Sequence, residues 1–132
     1  MGEPTLVIDA SVVVAALLNH HADARQALAH RGVLVPHLID AEVAHVCRRR
    51  VLAGTTRPDV ARRVLRRWVQ WPAIRIAHQP LVDRAWSLRD HVSAYDAMYV
   101  ALAERLDATL VTLDQRLATA PHGVRVMLLA RT

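Results

Sequence analysis

Short apolar runs alternate along this chain with longer segments of helical period, and this alternation limits its fold more than any other feature. Runs rich in Val, Ile and Leu are typical of buried strands, whereas apolar residues three and four positions apart are typical of amphipathic helices. The predicted strands cover residues 5–8, 33–35, 74–77 and 109–113, with a fifth candidate at 124–128. The predicted helices cover residues 11–18, 22–31, 37–53, 59–70, 81–90, 94–106 and 115–119. The order of these segments favours an α/β fold with a short, mostly parallel sheet of four or five strands.

Turn residues mark several of the predicted boundaries. Gly54 follows the third helix, where glycine commonly ends helices, and Pro58 opens the fourth at a position where proline is tolerated. Asp107 follows the sixth helix, and Asp accepts a left-handed backbone better than most residues. No linker, repeat or low-complexity segment interrupts the sequence, so we expect a single domain over residues 1–132.

The residue types that are missing exclude several classes of site. All 17 basic residues are Arg, so the chain has no G-x-x-x-x-G-K phosphate loop, no Schiff base and no Lys general base. Cys47 is the single cysteine, which excludes an internal disulfide and a zinc site built on several thiolates, and we expect a core thiol. Asp9 interrupts the N-terminal apolar run, and no long uncharged apolar stretch follows. We therefore expect neither a signal peptide nor a membrane span, and predict a cytoplasmic protein.

Two carboxylates directly follow predicted strands. Asp9 ends the first strand, and Asp114 follows the strand at residues 109–113. Ligands of open parallel sheets bind beyond the carboxyl ends of the strands, so these two acids can meet at one edge. Each also precedes a predicted helix, where Asp is a favoured N-cap, and capping is the competing explanation for both.

Glu42 lies inside a predicted helix, on its apolar side. Its helical neighbours include Leu38 and Val46, and a carboxylate among such residues needs a partner, a proton or a metal ion. An ion pair with Arg49, one turn further on, is the alternative to a functional role.

Asp96 lies in the first turn of another predicted helix. Ser93 stands three positions before it and completes a helix-capping pattern, which by itself gives a structural explanation. The positions one and two turns further on, Tyr99, Val100 and Ala103, belong to the core-facing stripe. Asp96 therefore stands beside the core, as Glu42 does.

Together these four acids would form one acidic pocket. Like charges that are close together cannot all stay ionised without a cation. Oxygen ligands favour hard ions, so we expect Mg²⁺ or Mn²⁺ rather than Zn²⁺. Such an ion suits phosphodiester hydrolysis, because it activates water and offsets the charge of the phosphate.

The segment between residues 48 and 67 is strongly basic, with eight arginines and one acid. Four of the arginines form one face of a predicted helix: Arg62, Arg63, Arg66 and Arg67. We expect the opposite stripe to pack inward: Val60, Val64, Leu65 and Trp68. The arginine face suits phosphate contacts along RNA or an acidic partner segment, and a solvated face is the alternative.

One pair of tryptophans and one pair of histidines have structural explanations. Trp68 and Trp71 have rings that can stack on bases, but we expect them to pack in the core or against a partner. The pair His20-His21 has no metal-ligand spacing, and we interpret it as a solvated helix start.

Four stretches, taken in order, carry a family resemblance. They are residues 7–11 around Asp9, residues 41–43 around Glu42, residues 95–103 around Asp96 and residues 110–117 around Asp114. Over nearly its whole length the chain resembles the PIN-domain ribonucleases, and in particular the VapC toxins of bacterial toxin–antitoxin pairs. The resemblance implies a three-layer α/β/α fold and a metal-dependent endoribonuclease that uses Mg²⁺ or Mn²⁺.

The resemblance also implies roles for the acids. Asp9 and Asp96 would lie closest to the ion, Glu42 would ligate it or orient a water, and Asp114 would act outside the first coordination sphere or in a second, weaker site. Ser11 and Thr112 would hold the strand-end acids by hydrogen bonds, with simple capping or strand-end bonding as the alternative for each. The family often carries a further acid shortly after the fourth, and the presence of Arg116 and Leu117 here weakens the case for a second metal site.

Partners are implied in the same way. Toxins of this family are usually held by a cognate antitoxin, whose C-terminal segment packs over the early helices, and homodimers are typical. The alternative is a catalytically weak PIN-fold module that binds RNA or a partner. A DNA substrate is less favoured, because the related flap nucleases are much longer chains.

Overall fold

A parallel five-stranded sheet forms the centre of the fold in the computed structural model, which describes residues 4–131. Its strands run β3-β2-β1-β4-β5 across the sheet, and every neighbouring pair is parallel. They are β1 (Leu6–Ile8), β2 (Leu34–Pro36), β3 (Ile74–Ile76), β4 (Thr109–Thr112) and β5 (Val126–Leu128). The prediction of a sheet of four or five strands is confirmed with the fifth strand present, and the sheet is parallel throughout rather than mostly so.

Helices cover both faces of this sheet. They are α1 (Ala10–Leu17), α2 (Ala22–Leu28), α3 (Ile39–Leu52), α4 (Pro58–Val69), α5 (Val82–Ser87), α6 (Ala94–Arg105) and α7 (Gln115–Thr119). From β1 to β3 the chain moves toward one edge of the sheet, and from β3 to β5 it moves toward the other. Because the crossovers are right-handed, this reversal places α1–α4 on one face and α5–α7 on the other. The three-layer α/β/α arrangement is confirmed.

The sheet register sets the place of the site. In the central pair, Ile8 of β1 lies beside Val111 of β4, and the Asp9 N–H donates to the Val111 carbonyl at 3.3 Å. Both strands therefore end at the same level, and the residues that follow them emerge side by side. Helix α6 runs back across β1, β2 and β4, which brings its first turn to this same edge.

The turn predictions agree with the structure. Gly54 has φ +76° directly beyond α3, Asp107 has φ +50° after α6, and Pro58 is the first residue of α4. The predicted helix at residues 81–90 is shorter than expected. A 3₁₀ turn, Gln79–Leu81, precedes it, and Pro80 is tolerated there because N–H groups at a helix start have no intrahelical acceptor. The α-helical part ends at Ser87.

The core predictions need two corrections. Ala61, Val64 and Trp68 form the buried stripe of α4, whereas Val60 and Leu65 are only half-buried. His21 does begin α2, but it is buried rather than solvated: its Nδ1 accepts from the Ala24 N–H, and its Nε2 contacts the Ala130 carbonyl oxygen. Cys47 is buried as expected. Between residues 4 and 131 no helix has the length and apolar character needed to cross a membrane.

Candidate active site

Asp9 is the most firmly held acid at the carboxyl edge of the sheet. It is 7% exposed and caps α1, since its Oδ1 accepts from the Val12 N–H at 3.2 Å. The same oxygen accepts from the Ser11 hydroxyl at 2.5 Å, and Oδ2 accepts from the Thr112 hydroxyl at 2.5 Å. The capping explanation is therefore correct, and the predicted hydroxyl contacts exist as well.

The two hydroxyls also tie Asp9 to the loop that carries Asp114. Thr112 Oγ1 accepts from the Asp114 N–H at 3.0 Å, while Ser11 Oγ accepts from the Leu113 N–H at 3.3 Å. Thr112 is fully buried, so its hydroxyl has little freedom to turn elsewhere. The ends of β1 and β4 are thus fastened together by side chains as well as by the backbone.

Glu42 lies in the first turn of α3, and its partner is an aromatic hydroxyl. The Tyr99 hydroxyl of α6 donates to Glu42 Oε1 at 2.5 Å, which links helices on opposite faces of the sheet. Burial, and then the Glu42 carboxylate, raise the pKa of Tyr99, so the hydroxyl keeps its proton. An ion pair of Glu42 with Arg49, the sequence alternative, is not present in residues 4–131.

Asp96 and Asp114 are half-buried and belong to helix starts. Ser93 Oγ accepts from the Asp96 N–H at 3.1 Å, as the capping pattern predicts, and this bond uses the backbone of Asp96 rather than its carboxylate. Asp114 caps α7, because its Oδ1 accepts from the Arg116 N–H at 2.9 Å. Capping therefore occupies one oxygen of Asp114 and leaves the other without a hydrogen bond from the described residues.

The four acids affect one another electrostatically. Burial raises the pKa of Asp9, and the charge of Asp96 adds to the rise against the lowering effect of the two hydroxyls. The pKa of Glu42 is raised by burial and by the charges of Asp96 and Asp9, while the Tyr99 hydroxyl lowers it. Burial and the charge of Asp114 raise the pKa of Asp96. Asp96 is thus coupled to each of the other three, as expected of one acidic site.

The donor chemistry of this site fits a hard divalent cation. All four side chains offer carboxylate oxygens, and their charges repel one another. In the described part of the chain, no three His, Cys, Asp or Glu side chains already stand as a metal-ligand group. The acids are gathered at one edge, and their side chains would have to close around an ion to bind it.

Comparison with known proteins identifies the family. The sequence matches the PIN domain over residues 6–123. The chain belongs to the PIN-domain family. A VapC ribonuclease of Mycobacterium bovis, Mb0985, is 46% identical over 115 residues, which cover 86% of this chain and 88% of that protein.

Solved structures support the same fold for this PIN domain. PAE2754 from Pyrobaculum aerophilum superposes with a TM-score of 0.73 at 22% identity, covering 93% of this chain and 83% of the other. The complex described as VapBC2 from Rickettsia felis, bound to a DNA fragment from its promoter, contains a chain that superposes with a TM-score of 0.68 at 12% identity. That match covers 96% of this chain and 99% of the other. The family resemblance found in the sequence is confirmed.

Two cavities flank the acids of this PIN domain, and most of the other residues that line them were not singled out from the sequence. One, of about 450 Å³, holds Asp96 and Asp114 together with Arg89, His91 and Arg116. The other, of about 390 Å³, holds Glu42 beside Tyr95. Positive charge at the first cavity comes from Arg89, in the turn after α5, and from Arg116 of α7, so no local spacing marks it in the sequence.

The arginine face of α4 is exposed as predicted. Arg62, Arg63, Arg66 and Arg67 are all exposed, and the guanidinium of Arg67 lies 6.0 Å from the centre of the Trp71 ring. Trp68 is buried, so it packs rather than stacks on a ligand. Arg62 also lines a groove between α3 and α4 that contains none of the four acids.

Proposed function

We propose that this protein is an Mg²⁺- or Mn²⁺-dependent endoribonuclease, and that a cognate antitoxin protein neutralises it in the cytoplasm. The observation that carries this proposal is the gathering of four carboxylates at the carboxyl edge of the sheet. Thr112 joins Asp9 to the Asp114 loop, and the charge of Asp96 raises the pKa of Asp9 and of Glu42. The VapC ribonuclease that is 46% identical to this chain supports the same activity.

Asp9 and Asp96 would hold the ion most directly, with Glu42 as a third ligand or as a group that orients water. The ion would offset charge on the phosphate and activate water for attack, giving 5′-phosphate and 3′-hydroxyl ends. Ser11 and Thr112 would keep Asp9 in position, since each donates to one of its oxygens. Asp114 would act at longer range, because one of its oxygens caps α7.

RNA would reach this edge with help from arginines. The exposed face of α4 would contact phosphates through Arg62, Arg63, Arg66 and Arg67, and the net charge of +5 favours approach of a polyanion. Arg116 and Arg89, which line the cavity beside Asp96 and Asp114, would serve the phosphates next to the cleaved bond. Binding should therefore weaken steeply as salt concentration rises.

The antitoxin would cover the cleft between α1 and α3. Val14, Leu18 and Val46 contribute apolar side chains to this cleft, and Arg49 and Arg50 line it as well. Such a surface fits an amphipathic segment with acidic residues. A solved complex described as VapBC2 supports an antitoxin partner. A homodimer is also proposed, and light scattering of the purified protein measures it.

RNA cleavage with and without divalent ions tests the activity. Wild-type protein should cut a mixed-sequence RNA in Mn²⁺ or Mg²⁺ and should lose this activity in EDTA. Asp9→Asn should abolish cleavage, whereas Asp23→Asn, which changes an exposed acid on α2, should not. Full activity in EDTA would contradict the proposal.

A thermal shift gives a second reading that does not depend on turnover. Mn²⁺ should raise the melting temperature of the wild type, because a ligand that binds only the folded state stabilises it, and the rise should vanish in Asp9→Asn. RNA binding without cleavage under any of these conditions would favour the weakly catalytic binding module instead.

A further inference from the structure

A cavity of about 390 Å³ opens directly beside the acidic edge, and it differs in character from the site itself. Leu38, Ala41, Glu42 and His45 line one wall, and Tyr95 lines the other. The first four follow the i, i+3, i+4, i+7 spacing along the start of α3, so they share one helical face. The volume is in the range of pockets that bind small organic groups.

Tyr95 is the unusual residue of this cavity. It is 64% exposed, whereas Tyr99, one turn further along α6, is 1% exposed and bonded to Glu42. Its hydroxyl makes no hydrogen bond within residues 4–131. The ring therefore adds nothing evident to the core, and it stands directly before Asp96 in the chain. An exposed aromatic face beside a nuclease centre is a platform on which a base can stack.

The opposite wall leaves room for a flat ring. Ala41 places only a methyl group between Leu38 and Glu42, and Leu38 supplies an apolar surface. His45 is exposed at the same wall, and its ring nitrogens can both donate and accept hydrogen bonds. Among the described residues no arginine lines this cavity, whereas two line the cavity on the Asp114 side. The two sides of the acidic edge therefore suit different parts of a nucleotide.

We propose that this cavity receives an unpaired nucleobase next to the scissile phosphate, stacked on Tyr95 and contacted at its edge by His45. This inference rests on the proposed ribonuclease function and adds a source of sequence preference to it. The arginine-lined cavity then takes the sugar-phosphate backbone on the other side of the cleaved bond. The RNA strand passes over the four acids, and the stacked base lies on the Glu42 side.

Cleavage kinetics of Tyr95 variants test the stacking. Tyr95→Ala should lower kcat/KM roughly ten- to a hundredfold, mainly by raising KM, because stacking holds the substrate equally in the ground and transition states. Tyr95→Phe keeps the ring and should stay within about threefold of the wild type. Val82→Ala removes an exposed apolar side chain from α5 and serves as the control.

Filling the cavity offers an independent variant that leaves Tyr95 and all four acids in place. Ala41→Leu should raise KM as Tyr95→Ala does, and leucine is a good helix former at this exposed position. His45→Ala should change which bases flank the cut site, read by sequencing the ends of a random RNA pool, while cutting continues.

Binding in EDTA, where turnover is stopped, gives a reading apart from activity. RNA oligonucleotides with 2-aminopurine at successive positions should show fluorescence quenching at one position in the wild type and in Tyr95→Phe, but not in Tyr95→Ala or Ala41→Leu.

Two results would overturn the base site while leaving the ribonuclease intact. One is wild-type kinetics and an unchanged cut-site profile in Tyr95→Ala and Ala41→Leu. The other is a loss in these variants of antitoxin affinity alone, which would assign the cavity to the protein partner. If the wild type itself cuts no RNA, the proposed function fails, and the base site fails with it.

Discussion

Two partly buried groups of charged residues in this protein are built in opposite ways. Asp40, at the start of α3, accepts from the buried Trp68 Nε1 at 2.7 Å and from Arg75 Nε at 3.1 Å on each oxygen. Arg75 also stacks over the Trp68 ring at 4.7 Å. At the carboxyl edge of the sheet, by contrast, four acids have hydroxyls, backbone N–H groups and one another, and none forms an ion pair within residues 4–131.

The contrast separates charge that stabilises the fold from charge that is left available for a ligand. Around Asp40 the Trp68 and Arg75 donors each have an acceptor, and the Arg75 charge faces a carboxylate. These residues therefore satisfy one another without any ligand. At the acidic edge, burial and repulsion raise the pKa of Asp9, Glu42 and Asp96, which means that ionising them in the folded state costs free energy. A bound cation would remove this free-energy cost, and a substitution that neutralises one of the carboxylates should remove part of it.

The largest expected effect comes from Asp96, the acid coupled to the other three. Asp96→Asn should reduce RNA cleavage by about a hundredfold or more, because it removes a proposed metal ligand. It should also raise the melting temperature by about 2–4 °C, since repulsion is relieved. Initial rates and differential scanning fluorimetry measure the two effects, with Asp23→Asn as control. Lower stability together with lower activity would contradict the comparison.

The Asp40 group should respond in the reverse sense. Asp40→Ala leaves Trp68 Nε1 and Arg75 without their partner and should lower the free energy of unfolding by about 2 kcal/mol. Urea denaturation measures this change, while RNA cleavage below the unfolding range should stay near the wild-type level. Arg57→Ala breaks the exposed pair with Asp59 and should cost at most about 0.5 kcal/mol. Equal losses of unfolding free energy in both variants would show that the Asp40 group stabilises the fold no more than an exposed ion pair does.

Thr112 tests how the acidic edge is held in place. Thr112→Val keeps the shape of the buried side chain but removes the hydroxyl that joins Asp9 Oδ2 to the Asp114 N–H, and we expect about a tenfold loss of cleavage. Thr112→Ser should restore most of the rate, because the hydroxyl returns. If the serine variant is as slow as the valine variant, packing rather than the hydrogen bonds matters at this position.

The smallest expected effect is a pH dependence of stability. In the unfolded chain these acids titrate near pH 4, and in the folded protein Asp9, Glu42 and Asp96 titrate at higher pH. Below about pH 4 they are protonated in both states, and as pH rises through the raised pKa values the free energy of unfolding falls. The double variant Glu42→Gln/Asp96→Asn should therefore match the wild type near pH 4 and exceed it by about 1 kcal/mol at pH 7, after allowance for solvent screening. Urea titrations at both pH values measure the difference, and a constant gap would rule out the assigned pKa shifts.

Much of the fold was predictable from the sequence because it depends on local spacing. The five strands, the seven helices, the left-handed Asp107 and the exposed arginine face all follow from residues within a few positions of one another. The contacts of Asp40 could not be predicted in this way, since its partners Trp68 and Arg75 lie 28 and 35 positions away. Its contacts exist only because α4 and β3 pack beside the start of α3, and no spacing in the sequence marks them.

The candidate site divides in the same way. The sequence by itself determined that Asp9 and Asp114 follow strands and that Glu42 and Asp96 flank core-facing stripes, because chain position and helical period decide these features. Only the tertiary structure decided that the charge of Asp96 acts on the other three acids and that the Tyr99 hydroxyl contacts Glu42. It also decided which groups the Thr112 hydroxyl joins, namely Asp9 and the Asp114 N–H. These contacts join residues up to about a hundred positions apart, and they form because parallel strands end at one edge of the sheet.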